Sequence, residues 1–505
     1  MTKMTGYNHD AFTDVEFSVA MTEAIDQTLS KHLDKGFDQE DLTFAYWRPS
    51  HGRRRYTAIL SEIALPRDQD RVMDGNVAFT AKYLKRVLRE TPDGCGIALL
   101  HSHLGPGWQN MSMDDVVAER DRMGGAVAAR TGLPILGLTR GTDGAWSARI
   151  WLRIGRNQYQ RRWAQTVRVV GKRLRITHHP ELSPEPLSNS RQVATASVWG
   201  NAAQSEIVRC HVGIVGLGSV GSIVSESLSR MGIQRLTLID HDRVEDRNLD
   251  RMMGALIDDS RNSVPKVAVA HRGAIQSHTS DDFSTTQVFG DLLTELGMSS
   301  ALDCDALISC VDRPLPRHIL NVISKAHLIP VIDGGIYARV NRAGLPVHVD
   351  WRIHTVGPEL SCLFCLGRLR RSDVALDREG WLDNPDYIAN LPPEDRDNGR
   401  RNVFAFSLAV ASHETLQFVK LVTGMERVGG VGPQHYSAFP GRMEVVETTT
   451  CDEDCDIDAL TSTALDLSSN IIDRPSEILA SESAKDLRPF RRVKAWLRSL
   501  NRRNI

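Results

Sequence analysis

The chain has 505 residues, which is too long for one ordinary domain and predicts two or three. Hydrophobic residues make up 41% and charged residues 25%, and the formal net charge of −2 excludes an overall attraction to nucleic acid or to a membrane surface. No stretch approaches about 18 apolar residues and the first residues lack a signal-peptide core, so we expect a cytoplasmic protein without a transmembrane segment or a nucleic-acid partner.

Residues 1–155 are predicted to form a first α/β domain. Its opening stretch, Phe17 to Leu33, carries apolar residues at helical spacing and is predicted to be a helix. The strands and helices expected after it are, in chain order, Leu42–Trp47, Tyr56–Ile63, the helix Ala78–Leu88, Gly96–Leu100, the helix from about Val116 to Thr131, Ile135–Leu138 and Trp146–Leu152.

A group of possible metal ligands follows the strand that ends at Leu100. His101 and His103 are two positions apart on a strand end and therefore point the same way, and Asp115 can return from the next helix as a third ligand. Three such ligands leave a fourth position open for water, which is typical of catalytic zinc. An HxH pair alone is more often incidental, but Ser112 and Asp115 at a helix start favour the metal site.

This pattern resembles the JAMM (MPN-plus, JAB) metalloisopeptidase family, whose motif is a glutamate, then HxH, then SxxD. The resemblance implies that His101, His103 and Asp115 bind zinc and that Ser112 helps to stabilise an oxyanion. Eight residues separate His103 from Ser112. This is one more than is usual in the family, so Asp114 stays an alternative ligand.

The same resemblance implies a glutamate that acts as general base. Glu40 fits the family position at the start of the strand before the hairpin, and Glu62 is the alternative. Such a glutamate takes a proton from water whose pKa the zinc lowers to about 7 and passes it to the leaving lysine amine.

Residues 156–187 are predicted to be a basic linker between domains. Their arginine-rich first half has only one Trp and one Tyr, so a solvated helix or strand packed between domains is favoured over a nucleic-acid contact. A cluster of Pro and Ser follows and marks the domain boundary.

The next domain, predicted over residues 188–456, begins with a βαβ pattern. A buried strand, Val212 to Val215, runs into Gly216, Gly218 and Gly221, and a helix is predicted directly after them. A glycine turn and a helix amino terminus together offer free backbone N–H groups and a positive dipole end to a phosphate.

A GxGxxG motif alone fits a dinucleotide-dependent oxidoreductase equally well, and the residues after the second strand separate the two classes. Asp240 ends that strand, where a carboxylate can accept hydrogen bonds from ribose hydroxyls. Asp242, Asn248, Arg251 and Lys266 follow closely. An arginine and a lysine here suit a triphosphate that is about to be cleaved, since they neutralise its charge.

These spaced motifs resemble the adenylation domain of the ThiF/MoeB and ubiquitin-activating-enzyme superfamily: GxGxxG, DxD, NLxR, Lys and a later Asp, here Asp312. The resemblance implies ATP as substrate, with Arg251 and Lys266 on its phosphates and Mg²⁺ held by Asp312. It also implies a homodimer in which Arg191 reaches the phosphates bound by the partner subunit. Met252 stands where the family usually has Gln.

The eight cysteines are too few for a disulfide scaffold, and two pairs indicate metal binding instead. Cys362 and Cys365 form a CxxC pair, and Cys451 and Cys455 a CxxxC pair. We expect all four thiolates to hold one structural zinc. Residues 366–450 contain no cysteine, so the enzyme either hands its adenylate directly to a partner's thiol or uses one of the four as nucleophile without zinc.

The sequence therefore predicts an α/β protein with a Rossmann-like adenylation domain and a separate amino-terminal JAMM-type metalloprotease domain. Residues 373–402 are expected to be a flexible crossover, 403–423 a core helix, and 457–505 a Ser- and Asp-rich tail with a basic amphipathic end. The main hypothesis is ATP-dependent adenylation of the carboxyl terminus of a ubiquitin-like protein, combined with zinc-dependent processing or removal of it. Such fusions resemble bacterial ubiquitin-like conjugation and antiphage-defence systems, which implies a conjugating enzyme as a further partner.

Two alternatives remain. One is a sulfur-carrier activator for thiamin- or molybdopterin-type cofactor biosynthesis. The other is a modifier-binding module in which one of the two domains is degenerate.

Overall fold

A computed structural model describes residues 15–34, 39–74, 76–155, 158–187, 189–341, 345–390, 402–425, 432–445 and 449–470. Its first sheet has nine strands in the order β11-β10-β1-β3-β2-β6-β7-β8-β9, and a separate hairpin pairs β4 with β5. The strands of this part are β1 (Glu16–Thr22), β2 (Leu42–His51), β3 (Arg55–Ala64), β4 (Arg71–Asp74), β5 (Asn76–Phe79), β6 (Gly96–Ser102), β7 (Ile135–Arg140), β8 (Trp146–Gly155), β9 (Gln158–Trp163), β10 (Thr166–Val170) and β11 (Leu174–His178). Its helices are α1 (Glu23–Leu33), α2 (Ala81–Glu90), α3 (Met113–Val116) and α4 (Gly124–Thr131), with a π-helical stretch over Val117–Met123.

The predicted helix Phe17–Leu33 is wrong in its first half. Strand β1 occupies Glu16–Thr22 and lies between β10 and β3, to which it runs parallel. Val19, Ala20 and Met21 are all fully buried, so apolar residues fill both faces of the strand and hide its two-residue period. The helix begins only after Thr22, whose hydroxyl accepts a hydrogen bond from the Ile25 N–H.

The segment 156–187, expected to be a linker, instead contains strands β9, β10 and β11 of the first sheet. Strand β10 is buried along its whole length and pairs with β1, while β9 forms one edge of the sheet and has half of its residues exposed. The many arginines of this segment misled the interpretation, because Arg168 is buried where it meets an acidic partner from the other half of the chain.

The second sheet has eight strands in the order β14-β13-β12-β15-β16-β17-β18-β19. They are β12 (His211–Val215), β13 (Arg235–Asp240), β14 (Ser284–Phe289), β15 (Ala306–Ser309), β16 (Val331–Val340), β17 (Pro346–Val356), β18 (Gln434–Ser437) and β19 (Arg442–Val445). The helices around them are α5 (Val193–Trp199), α6 (Asn201–Arg209), α7 (Ser219–Arg230), α8 (Ile257–Arg261), α9 (Lys266–Ser277), α10 (Glu295–Ala301), α11 (Pro314–Ala326), α12 (Arg371–Arg378), α13 (Pro385–Asn390) and α14 (Phe404–Thr423).

The first five strands of this sheet are parallel, and β17, β18 and β19 extend it in antiparallel fashion. The strand order reverses between β12 and β15, so the carboxyl ends of these two strands form the crevice in which doubly wound sheets bind ligands. The expected α/β class with a Rossmann-like sheet is confirmed.

The expected flexible crossover, 373–402, overlaps helix α12 and contains α13, while residues 391–401 lie outside the described part. The basic amphipathic end, 471–505, also lies outside it. Among the residues that the structure describes, no helix has the length and apolar character needed to cross a membrane.

The two sheets meet in a buried polar interface. The Arg55 guanidinium lies 2.6 Å from the Asp305 carboxylate, and Arg168 donates to the Cys304 carbonyl at 3.1 Å. Burial opposes ionisation of Asp305, but Arg55 and Arg168 outweigh it and lower the pKa of this carboxyl. Apolar residues of both halves belong to one core, since Ile59 packs in the same cluster as the strand residues of β12. The two halves therefore form one packed body.

Candidate functional site

Three predicted metal ligands converge at the end of β6. His101 Nε2 lies 3.1 Å from His103 Nε2 and 3.1 Å from Asp115 Oδ1, and His103 Nε2 lies 3.4 Å from Asp115 Oδ2. All three donor atoms lie within 4.8 Å of one another, which suits a single small cation. Burial raises the pKa of Asp115, but its contacts with the two histidines outweigh this effect and lower it.

The start of helix α3 explains how Asp115 reaches the histidines. Ser112 caps this helix by accepting a hydrogen bond from the Asp115 N–H at 3.1 Å, and the Asp115 carboxylate accepts from the Ser112 N–H at 2.7 Å. This reciprocal capping box fixes the Asp115 side chain toward the first turn. Asp114 does not belong to the three-ligand group.

The two candidate bases lie at different levels of the first sheet. Glu40 precedes β2 by two residues, and the first residue of that strand, Leu42, is the register partner of His101. Glu62 is the register partner of Tyr46, four residues further along β2 and therefore about 13 Å away along the strand. Glu40 thus lies at the end of the sheet that carries the histidines, and Glu62 does not.

A buried polar chain behind the histidines was not predicted. Thr139 on β7 lies 3.3 Å from His101 Nε2 and accepts a hydrogen bond from Arg149. Arg149 in turn forms a fully buried ion pair with Glu119, which also accepts from the Trp151 indole at 2.7 Å. The one sequence signal was an arginine inside an otherwise apolar strand, but its acidic partner lies 30 positions away.

The glycine turn after β12 has the tight shape that its sequence implies. Gly216 has a φ of 87°, and a Cβ at Gly221 would lie 1.9 Å from the Gly216 carbonyl oxygen, so neither position tolerates a side chain. The Asp240 carboxylate accepts from the Leu217 N–H at 2.6 Å and from the Asp242 N–H at 2.7 Å. Burial raises the pKa of Asp240. Gly218 has open space around it, so the turn can admit a phosphate.

Lys266 begins helix α9 and lies against the second acid of the motif. Its Nζ donates to Asp242 Oδ2 at 2.8 Å, and only 9% of the residue is exposed. Burial lowers the pKa of Lys266, but the charges of Asp240, Asp242 and Asp312 outweigh it and raise the pKa. Asp312 follows β15 by three residues, across the crevice from the glycine turn. The lysine and the acids therefore share one site.

The NLxR segment forms a short turn beside this site. Asn248 Oδ1 accepts from the Glu245 N–H at 2.9 Å, which holds the turn's backbone. Arg251 donates to the Arg247 carbonyl at 2.7 Å and lies 2.8 Å from the Asp250 carboxylate. Both contacts are with residues of the same turn.

Arg191 lies far from the glycine turn of its own chain. It forms an ion pair with Asp281, and its neighbour Asn189 donates to the Thr279 carbonyl at 2.8 Å. Thr279 in turn donates to the Arg230 carbonyl at the carboxyl end of α7, whereas the glycine turn precedes the amino end of that helix. Twelve helical residues span about 18 Å. Within one chain, Arg191 does not reach the phosphate site.

The four paired cysteines meet at one place. The sulfur atoms of Cys362, Cys365, Cys451 and Cys455 all lie within 4.8 Å of one another, and the Cys362–Cys455 distance is 3.7 Å. A hydrogen bond from Cys451 lowers the pKa of the Cys362 thiol to about 5, so this group is inclined to ionise. Four thiols in a closed arrangement fit a structural zinc.

The other cysteines have properties unlike those of a nucleophile. Burial raises the pKa of Cys304 to about 12 and raises the pKa values of Cys95, Cys210 and Cys310 as well. A thiol must ionise to attack.

The sheet order, the glycine turn and the acid–lysine group at the switch point define an α/β nucleotide-binding protein. Residues 189–456 match the model of the ThiF family. The chain belongs to the ThiF family.

Curated relatives align with part of this region. Ubiquitin-like modifier-activating enzyme 5 of Drosophila willistoni is 29% identical over 136 residues, which are 25% of this chain and 32% of that protein. Sulfur carrier protein ThiS adenylyltransferase of Bacillus subtilis (strain 168) is 29% identical over 177 residues, 35% of this chain and 49% of that protein. The chain thus spans about a third to a half of these relatives' length. Escherichia coli MccB with ATP superposes with a TM-score of 0.41 at 17% identity, covering 54% of this chain and 74% of that one.

Proposed function

We propose that this chain uses ATP to adenylate the carboxyl terminus of a ubiquitin-like or sulfur-carrier protein. The observation that supports it is the convergence of Lys266, Asp240, Asp242 and Asp312 around the glycine turn at the switch point. The names of the two aligned relatives, a modifier-activating enzyme and a sulfur-carrier adenylyltransferase, point to the same chemistry.

In this reaction a carboxylate oxygen of the carrier attacks the α-phosphorus of ATP, the bond to the β-phosphate oxygen breaks, and pyrophosphate leaves. Lys266 and Arg251 neutralise the negative charge that develops on the phosphates. Asp240 accepts hydrogen bonds from the ribose. Asp312 is the residue that would hold Mg²⁺, which supplies further charge neutralisation.

The acyl-adenylate then passes to an acceptor outside the chain. In the described part of the chain, the cysteines outside the four-cysteine cluster are held as neutral thiols. We therefore assign the acceptor thiol or sulfur donor to a partner, such as a conjugating enzyme.

The test is ATP–pyrophosphate exchange with purified candidate carriers. Lys266→Ala is expected to lower the exchange rate about 100-fold or more, because it removes a preorganised positive charge from the phosphates. Lys85→Ala, an exposed lysine on helix α2, serves as the matched control and keeps the wild-type rate. Full exchange by the Lys266 variant contradicts the proposal, and no exchange with any carrier favours a binding module.

A second function is favoured by the converging donor atoms of His101, His103 and Asp115. We propose that this group holds a catalytic zinc and that the first domain is a metallo(iso)peptidase that trims or removes the same carrier. Zinc there would polarise a water and the scissile carbonyl. Glu40 takes the water's proton and gives it to the leaving amine, and the Ser112 hydroxyl donates to the developing oxyanion.

Two glutamate variants test this second function. Glu40→Gln is expected to lower hydrolysis of a carrier–lysine isopeptide about 100-fold or more while zinc content stays unchanged. Glu62→Gln is the matched control, since it removes an exposed carboxylate of the same hairpin that lies about 13 Å along the strand from the histidine end. Equal losses in both variants would argue against Glu40 as the base.

We further propose a cytoplasmic homodimer in which Arg191 completes the partner's phosphate site, and the distance of Arg191 from its own glycine turn supports this proposal. A bacterial conjugation system with an antiphage role is the proposed context, and a sulfur-carrier pathway is the alternative. Genes for a conjugating enzyme beside this one support the first, and thiamin or molybdopterin genes support the second.

A further inference from the structure

One face of the antiparallel extension β16–β18 is polar. Gly334 on β16 faces helix α14, since a Cβ there would lie 2.3 Å from a Glu414 oxygen. Its register partner is Ile353, and the next pair along the strands is Gly335 with Arg352. Because neighbouring positions of a strand point to opposite faces, Arg352 lies on the face away from α14.

We call the charged group on this face the arginine strip. Its members come from α11, from β16 and β17, and from the loop after the first cysteine pair, and they are Arg317, Asp333, Asp350, Arg352, His354 and Arg368.

The arginine strip contains buried polar atoms without hydrogen-bond partners. Among the described residues these are Asp350 Oδ1, Arg352 Nε, Arg368 Nε and both ring nitrogens of His354. The His354 Nε2 atom lies 3.6 Å from Asp333 Oδ2, which is beyond hydrogen-bonding distance. Asp350 is 1% exposed and His354 is 2% exposed. Native proteins leave few buried polar groups unpaired. The two guanidinium Nε–H groups and the one N–H of a neutral His354 ring are donors, so they indicate a ligand that accepts hydrogen bonds.

The charges of the strip favour an anion. Arg317 is held by Asp333 through hydrogen bonds of 3.0 and 2.6 Å, and Arg352 donates to Asp350 at 3.1 Å. Arg368 Nε has no hydrogen-bond partner in the described part of the chain. Burial and repulsion by Arg352 lower the pKa of Arg368, with a further contribution from Arg317, and the charge of Asp350 offsets them only in part. A negative group between these two arginines would relieve that repulsion.

The distance between the arginine strip and the glycine turn determines how many residues of a bound peptide can lie between them. Strand β17, which carries Arg352, lies three strand spacings from β12, in the order β12-β15-β16-β17. Neighbouring strands are about 4.8 Å apart, so the lateral distance is about 14 Å, which about four residues of extended peptide span.

We propose that the extended carboxyl-terminal segment of the carrier protein crosses the arginine strip and places an acidic side chain between Arg352 and Arg368, about four residues before its terminal carboxylate. This inference rests on the proposed adenylation function. Arg368 is presented by the turn that follows Cys365, where the Arg368 N–H donates to the Leu363 carbonyl at 2.8 Å. The four-cysteine cluster thereby holds one side of the carrier's path.

The experiment uses the full chain and fluorescently labelled ten-residue peptides of Ala, Gly and Ser with a free carboxyl terminus. Each peptide carries a single Asp at one position, from the second to the eighth residue before the end. Fluorescence anisotropy without ATP is expected to show the tightest binding with Asp at about the fourth position. Arg368→Gln is expected to weaken that binding about tenfold or more, since a charge-assisted hydrogen bond is lost.

Two further variants separate recognition from misfolding. Arg442→Gln removes an exposed arginine from β19 of the same sheet and is expected to leave binding unchanged. Arg368→Glu is expected to bind the peptide that has Lys in place of Asp at the preferred position, which an unfolded variant cannot do.

Equal binding of all Asp positions, no binding of any peptide, or an unaffected Arg368→Gln variant would overturn the inference. Pyrophosphate exchange with a whole carrier keeps the two proposals distinct. Pyrophosphate exchange without any positional preference for Asp contradicts the role proposed for the arginine strip and leaves the adenylation function supported. A positional preference without exchange for any carrier supports the strip as a peptide site and defeats adenylation.

Discussion

The histidine–aspartate group of the first domain and the four-cysteine cluster of the second are built in opposite ways. His101 and His103 are two positions apart on one strand end, and Asp115 follows on the next helix. Cys362 and Cys451 are 89 positions apart, and the chain between them forms strands of the sheet, helix α14 and the crossover. The first group offers three possible metal ligands and the second offers four.

This difference suggests that the two sites contribute differently to folding and to catalysis. A cluster that closes a long loop must offset the loop's entropy, and zinc binding contributes folding energy directly. A local group on a strand end is formed by the sheet itself, and its open position serves chemistry. We infer that a zinc ion on the histidine–aspartate group would matter for catalysis and that a zinc ion in the four-cysteine cluster would matter for stability.

The largest expected effect follows from that contrast. Cys362→Ser should lower the zinc content from two ions per chain to one and lower the melting temperature by more than about 10 °C, because apparent zinc-binding energies reach about 10–16 kcal/mol and about 1 kcal/mol shifts a domain of this size by a few degrees. His101→Ala should also remove one zinc but change the melting temperature by less than about 4 °C. Elemental analysis and calorimetry measure both. An equal decrease in melting temperature in the two variants would contradict the proposal that only the four-cysteine cluster stabilises the fold.

A second prediction asks whether the two domains unfold together. Arg55→Ala leaves the fully buried Asp305 with a weaker ion pair, to Arg168 at 3.7 Å, and a hydrogen bond from the His211 N–H, and is expected to destabilise the protein by about 3 kcal/mol. The single calorimetric unfolding transition should then split into two, one for each domain. The stability of the domain around each group of metal ligands can then be measured separately. Arg53→Ala is the matched control, because its exposed side chain should change stability by less than about 0.5 kcal/mol. A single transition in the Arg55 variant would mean that the interface depends on its apolar contacts instead.

The sequence predicted the features that are local along the chain. The glycine turn, Asp240 and Lys266 lie in one βαβ unit whose order of elements fixes their geometry, and the predicted strands and helices of this unit are close to those observed. The HxH pair and SxxD converge because a strand end and a helix cap place them.

Features that depend on distant contacts were missed. The strand over Glu16–Thr22 has a helix-like apolar pattern because β10 and β3 and both sheet faces bury it. Arg149 pairs with Glu119 only through the packing of the π-helical stretch on β8, and Arg55 finds Asp305 across 250 positions. Periodicity carries no information on such pairs, so the interface between the domains could not be predicted.

The smallest expected effect is a pH dependence of the free energy that the interface contributes to stability. It tests whether acid weakens the contact between the two domains before it disrupts either group of metal ligands. His327 lies between them, 2.7 Å from the Ser50 hydroxyl, and burial lowers its pKa to about 4. An unfolded histidine has a pKa of about 6.5, so between these values the unfolded state binds more protons. The contribution of neutral His327 to the free energy of unfolding is therefore fully present above about pH 6.5. It is lost as the pH falls toward 4, by about 1.4 kcal/mol per pH unit. Urea unfolding of wild type and His327→Gln at about pH 7 and about pH 5.5 measures it, with the exposed His241→Gln as control. If the free energy of unfolding of His327→Gln depends on pH as steeply as that of wild type, the acid sensitivity comes from other buried histidines. Acid would then not weaken this interface in particular.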